Sequence, residues 1–451
     1  MLVESFETRL SDLVHPDHVH QDVYTDPEIF ELEMERIFGR AWVYIGHESQ
    51  VPNPGDYWTT LIGRDPVVMV RDKTGKVNVL HNRCPHKGAK VVGEGCGNAG
   101  PIFRCPYHAW TFKLDGSLMG VPHRSWYDGT GFDPKGDEFS MRSVTRVDSH
   151  RGFVFASLSK DGPDLKEFLG GTITTLDNFA DRAPEGYVIV AGGVQRVWQE
   201  SNWKLFLENM NDTAHAPATH ESSWTAAKQT AQSRFEGKSP FQLHIIEGNG
   251  EPNAFWEALD FRCYDYGHSF FDAIFNAPGD RISLEYRAQL NAAYGEERAA
   301  EIQKINRHNT VIYPSCSPHV GFQQMRVVRP MAVNRTMIEF FTFRLAGTTD
   351  EFFQRTINYT NIVNSPSSLV MVDDVDLYRR CQEGMLSDGG KWISQHRNFG
   401  KDVQGDNEII GKGVTELPMR NQFRAWREYM EVPNGDAQPA PVGTSDERCV
   451  S

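Results

Sequence analysis

The chain has 451 residues, 39% hydrophobic and 24% charged, the balance of an ordinary folded protein with room for two or three domains. Its 46 Lys and Arg against 60 Asp and Glu leave a net charge of −14, the wrong sign for a nucleic-acid binder or a polybasic membrane anchor. No apolar run is long enough to cross a bilayer, and the opening MLVESFETRL lacks an apolar secretory core. The seven Cys are scattered and odd in number, which fits metal or redox use better than a disulfide framework. A cytoplasmic protein is expected.

Asp26-Pro27-Glu28 reads as a helix start, with Asp26 as cap and Pro27 in the first turn. Ile29, Phe30, Met34, Ile37 and Phe38 then form one apolar stripe before Gly39. Short β-like runs follow: AWVYIG (41–46), YWTTLI (57–62), PVVMVR (66–71), KVNVL (76–80) and GFVFASL (152–158), with turns at Pro54-Gly55 and Asp115-Gly116. Farther on, helices are expected near 164–180, 202–212, 291–307 and 350–384, and strands near 187–198, 240–246 and 321–345. The expected fold is α+β: a helical segment (1–40) that packs on the last domain, a small all-β domain (41–160), and a larger domain (161–451) with an antiparallel sheet surrounded by helices. The Pro- and Gly-rich tail from Val432 is expected to be extended.

Two constellations carry chemistry. In the β domain, Cys84-Pro85-His86 and Cys105-Pro106-Tyr107-His108 each supply one thiol and one imidazole from a turn-like segment. Zinc accepts such a set, but finger-type sites usually place the Cys pair first. A Cys84–Cys105 disulfide would leave both His residues idle. A Rieske-type [2Fe-2S] cluster needs two Cys on one iron and two His on the other, which the mixed order suits. Cys96, between two glycines, reads as a loop residue.

In the larger domain, NWKLFLENMNDTAHAPATH (202–220) places Asp212 three residues before His215, a spacing at which a helix would let the carboxylate accept the imidazole N–H. His215 and His220 are five apart, and a continuous helix would splay them by about 140°. Pro217 between them breaks the helical ladder and lets both rings turn to one point. A carboxylate from elsewhere would complete a 2-His-1-carboxylate face that leaves open positions on Fe(II). The same spacing also suits a hydrogen-bonded core pair, with Asp212 as a helix cap.

The stretch VYTDPEIFELEMERIFGRAWVYIGHES (23–49), with CPHKGA (84–89) and CPYHAW (105–110), resembles the large subunit of Rieske non-heme iron aromatic-ring-hydroxylating oxygenases, and the likeness runs through nearly the whole chain. It implies that Cys84, His86, Cys105 and His108 hold a [2Fe-2S] cluster, and that the larger domain is a helix-grip-like catalytic domain. Asp212, His215 and His220 match the family's Asp-x-x-His-x-x-x-x-His pattern. His215 and His220 would then be iron ligands, and Asp212 a carboxylate bridging His215 and His108 of the partner subunit in a head-to-tail trimer. MVDDVDLYRRCQEG (371–384) resembles the carboxylate helix; of Asp373, Asp374 and Asp376, the pattern favours Asp374 as third ligand. Asn209 falls where the family often has a pocket Asn, with Phe206, Met210 and Ala216 beside it. Cys316 and His319 lie on a stretch (308–330) resembling a strand pair beside the pocket.

The resemblance further implies a terminal oxygenase that uses O2 to dihydroxylate an aromatic substrate. A Rieske monooxygenase or demethylase would share the same metals. A cluster-only electron carrier or a zinc-stabilised interaction module would leave the long second region unexplained. No G-x-G-x-x-G motif opens a helix after a strand, so a separate reductase, with or without a ferredoxin, is expected to supply electrons. TELPMRNQFRAWREYM (415–430) resembles the end of benzoate- or aniline-type large subunits, which favours an α3β3 assembly with a small β subunit over α3.

Overall fold

The computed structural model describes residues 10–431 apart from 94, 273–278, 306 and 366, so the tail from Val432 lies outside the described residues. The chain divides into two compact units, Phe38–Leu165 and a second made of the residues up to Ile37 together with those from Lys166.

The Phe38–Leu165 unit is all-β apart from short 3-10 turns. Asp65–Arg71 pairs antiparallel with Val77–His81 on one side and Asp56–Ile62 on the other, and Asp56–Ile62 also pairs with Cys96–Asn98. Cys96 is therefore a strand residue rather than a loop residue, opposite Trp58. A second sheet runs Ile102–Arg104, Thr111–Lys113, Leu118–Gly120, and a third joins Arg146–His150, Phe153–Ser157 and Val43–His47. Val68, Val70, Leu80, Phe103, Trp110 and Phe112 form a buried core that includes Cys84 and Cys105. Burying those apolar surfaces is what fixes the two Cys-bearing loops at the sheet ends.

In the larger unit, the helix Pro27–Arg36 starts as the sequence expects: Asp26 accepts from the Glu28 N–H at 2.8 Å. It buries Ile29, Phe30 and Met34, and with them Glu33. Glu33 Oε1 accepts from Lys204 Nζ and from Trp426 Nε1 (2.6 Å), and Oε2 accepts from Trp203 Nε1 (2.7 Å). One carboxylate thereby ties this helix to Trp203–Met210 and to Leu417–Met430. A four-stranded antiparallel sheet runs Val188–Gln199, Arg335–Leu345, Gln324–Ala332, Cys316–His319. A five-stranded sheet runs Arg307–Val311, Ser269–Asp272, Asp260–Cys263, Ile409–Lys412, Val403–Gln404.

Three expectations shift. Residues 240–246 are helical (Phe241–Glu247) rather than a strand, because a short apolar run has no period of its own to distinguish the two. The helix expected over 291–307 is two helices, Arg281–Tyr294 and Glu296–Lys304, parted by Gly295 at φ 81°, a conformation glycine adopts without strain. The expected 350–384 helix is Asp350–Tyr359, a π-helical turn Thr360–Asn364, and then Met371–Gly384. No helix among the described residues is long and apolar enough to cross a membrane.

Candidate functional site

The two Cys-His loops repeat one backbone frame. Cys84 N–H donates to Ala89 O (2.8 Å) and Gly88 N–H to Cys84 O (2.9 Å). In the other loop Cys105 N–H donates to Trp110 O (2.8 Å) and Ala109 N–H to Cys105 O (3.1 Å). The fifth residue of each frame, Gly88 (φ 77°) and Ala109 (φ 57°), is left-handed, which closes the loop on itself. Both thiols are buried and free, and burial together with the neighbouring Cys105 raises the Cys84 thiol above its ordinary value. The imidazoles lie farther out: His108 is exposed, and the two rings are 4.6 Å apart between centroids. His86 stacks on Trp110 at 4.8 Å, and its buried Nδ1 has no hydrogen-bond partner among the described residues. Buried thiols inside and imidazoles outside form an asymmetric donor set, which suits a cluster with two unlike irons.

The second centre is built from three segments. Asn202 caps the Trp203–Met210 helix, which brings Asn209 to its last turn. Residues 211–214 then leave the helix, and a single turn, Ala216–Thr219, places His215 at its start and His220 at its end. Met371–Gly384 supplies Asp374 from its first turn. His215 Nε2 lies 3.6 Å and His220 Nε2 3.4 Å from Asp374 Oδ1, and the three ligand atoms are all within 4.8 Å of one another. The rings stand at 77° to each other, so their lone pairs converge rather than run parallel. Asp374 is pushed up to about 6, chiefly by burial, partly offset by His215 and Asn209; a cation between the three would restore the ionised form. Burial likewise holds His220 below its ordinary value despite its bond to Asp373. Two imidazoles and one carboxylate at these distances fit a single divalent ion.

The sequence reading named Asn209 and Asp212 beside these residues but missed the part played by Asp373. Asp373 Oδ2 lies 3.2 Å from His220 Nδ1, and so engages the nitrogen that faces away from the centre. Asn209 Nδ2 is 3.1 Å from His215 Nε2 and donates to Asp374 Oδ1 at 3.3 Å. Asp212 does not meet His215: its Oδ1 accepts from Ala214 N–H (2.9 Å) and Arg397 Nη2 (3.0 Å), while the buried His215 Nδ1 has no hydrogen-bond partner among the described residues. The helical spacing argument fails because the helix has already ended at Met210. Pro217, for the same reason, opens a new helical turn instead of breaking an old one. Phe206 is wholly buried and packs on Phe340, so it is core; Met210 meets Arg326. Cys316 and His319 are buried on one strand, with the His319 ring 4.9 Å from Phe322.

Residues 41–128 match the Rieske [2Fe-2S] domain family, and residues 180–431 match the ring hydroxylating alpha subunit catalytic domain. This chain belongs to the ring-hydroxylating dioxygenase alpha-subunit family. It is 33% identical to the alpha subunit of toluate 1,2-dioxygenase from Pseudomonas putida, over 91% of this chain and 90% of that one. Against the large subunit of 2-halobenzoate 1,2-dioxygenase from Burkholderia cepacia it is 30% identical, over 86% and 81%. The solved structure of naphthalene 1,2-dioxygenase with indole bound shares the fold, with a TM-score of 0.78 at 24% identity over 92% of both chains. The alpha subunit is thus an aromatic-ring-hydroxylating oxidoreductase whose cofactors are a Rieske cluster and a mononuclear iron. The catalytic-domain match leaves a cluster-only electron carrier without support, and the monooxygenase reading is not favoured.

Proposed function

We propose that Cys84, His86, Cys105 and His108 hold the cluster, that His215, His220 and Asp374 hold the iron, and that the subunit places both atoms of O2 on an aromatic ring. The convergence of two imidazole Nε2 atoms and one carboxylate within 4.8 Å carries this reading. When bound, the cluster supplies single electrons and the iron activates O2. The chain's own groups prepare that site. Asp373 holds a proton on His220 Nδ1, which fixes the tautomer and turns the Nε2 lone pair to the centre. Asn209 orients Asp374 and reaches His215 from the same side. Burial of His220 and Asp374 keeps water from competing for the open positions.

Electrons come from a separate reductase, with or without a ferredoxin. The assembly is a head-to-tail ring, α3β3 with a small β subunit, in which Asp212 bridges toward His108 of the partner subunit; such heterologous contacts close into rings. A cytoplasmic location agrees with the composition. The test is turnover of the reconstituted enzyme under labelled O2. Two labelled oxygens on one ring support dioxygenation, whereas one labelled oxygen makes the enzyme a monooxygenase.

A further inference from the structure

We propose that Arg326 anchors the carboxylate of the substrate, so that this active site takes an aromatic acid and not a neutral hydrocarbon. The inference rests on the ring-hydroxylation reading above. Arg326 sits within the strand Gln324–Ala332, paired with Ser317 on one side and Phe340 on the other, and is 3% exposed. Side chains alternate along a strand, so Arg326 shares a face with Gln324, whose Nε2 donates to Thr360 Oγ1 at 2.6 Å. The opposite face carries Arg329, equally buried, whose Nε donates to Glu339 Oε2 at 3.0 Å.

The two buried arginines differ in one respect. Arg329 has a carboxylate in contact, and Arg326 has none among the described residues. Its Nη1 donates to Met210 Sδ and Asn309 Oδ1, both at 2.7 Å, the Tyr359 hydroxyl is a further neighbour, and its buried Nε is unpartnered. A thioether, an amide oxygen and a phenol are neutral groups and leave the buried guanidinium without a contacting counter-charge among the described residues, which is costly. The acid whose charge reaches it, Asp374, belongs to the iron face, where a metal dication adds further positive charge. A guanidinium stays protonated even when buried, and its planar fork fits a carboxylate with two parallel bonds.

Position completes the argument. Met210, which Arg326 touches, follows Asn209, whose amide lies 3.3 Å from Asp374 Oδ1 and 3.1 Å from His215 Nε2. Consecutive residues in the last turn of one helix thus touch the proposed anion anchor and the metal face. An acid group held at Arg326 would bring the ring carbons beside it toward the iron, which fixes both the substrate class and the edge of the ring presented.

The test uses cluster- and iron-loaded enzyme with benzoate and toluene, the same ring bearing a carboxylate or a methyl group. Binding is followed anaerobically by calorimetry, and turnover separately with reductase and O2. The expected result is a marked preference for benzoate in the wild type. Arg326→Gln should lose benzoate affinity by about a hundredfold while toluene binding and iron content stay unchanged, and Arg326→Lys should retain part of the preference. Equal wild-type binding of the two probes, or full benzoate affinity in Arg326→Gln, overturns the anchor; the wild-type comparison decides even if that variant fails to fold. Oxidation of toluene with refusal of benzoate overturns the anchor and leaves ring hydroxylation standing. Arg326-dependent benzoate binding with no oxidation of either ring supports the anchor and sinks the hydroxylation reading.

Discussion

Asp373 and Asp374 grip the same imidazole from its two ends: Asp373 Oδ2 is 3.2 Å from His220 Nδ1, and Asp374 Oδ1 is 3.4 Å from His220 Nε2. Adjacent residues on a helix point about 100° apart, and the ring of His220 fills that angle. In the proposed iron site the outer carboxylate would orient a ligand while the inner one would be a ligand. Asp373→Asn should weaken iron affinity about tenfold to a hundredfold, measured by competition with a chelator, and leave acid-labile sulfide unchanged. Asp374→Asn should lose the mononuclear iron outright. Equal retention by both variants would contradict these roles.

Arg397 engages Asp212 at 3.0 Å, and the buried His215 Nδ1 has no hydrogen-bond partner among the described residues. In the proposed bridging role, Asp212 would exchange the arginine for an imidazole contact. Asp212→Ala should keep the full iron and sulfide content and lose substrate oxidation, read as product formed per reductant consumed. Normal oxidation by that variant would end the bridging role.

Glu33 is the strongest structural commitment of the larger unit. Its carboxylate is fully buried, meets Lys204 Nζ and accepts from two indole N–H groups. Breaking a buried pair from one side leaves the other charge stranded. Glu33→Ala should destabilise the unit by about 3–5 kcal/mol in denaturant titration. Glu33→Met with Lys204→Met should recover most of that loss. A loss under about 1 kcal/mol in the single variant would contradict the ledger of charges.

His268 gives the unit an acid-sensitive point. Its ring Nε2 donates to Phe168 O (2.9 Å), its Nδ1 accepts from Tyr313 N–H (3.0 Å), and burial lowers its pKa to about 3 from 6.5. The folded state needs the neutral ring, so this contribution is complete above the unfolded pKa near 6.5 and falls as pH drops toward about 3. The expected slope is about 1.4 kcal/mol per pH unit in that window. His268→Gln should cost about 1–3 kcal/mol near neutral pH and flatten the slope. An unchanged slope in unfolding titrations would show that other groups govern acid sensitivity.

Local signals were legible in the residues themselves, whereas the long-range pairing of Asp374 with His215 and His220 was legible only through the family resemblance. Asp26-Pro27 starts a helix through contacts within three residues, so sequence suffices there. The spacing in CPHKGA and CPYHAW fixes two closed turns for the same reason. The LHII stretch at 243–246 is apolar with no distinguishing period, and its helix depends on what it packs against. Asp373 sits in an acidic run that reads equally well as a solvated face, and only the approach of His220, 153 positions away, gives it a role. Arg326 is one of two basic residues in its strand, and that no carboxylate among the described residues contacts it is a property of the packed interior.

One chain carries a cluster and a separate mononuclear iron, and counting metals tests this most directly. On anaerobically purified protein supplied with ferrous iron, about three irons and about two acid-labile sulfides per chain are expected, and His215→Ala should fall to about two irons with sulfide unchanged. Two irons in the wild type after that supply, or zinc without sulfide, would contradict the account.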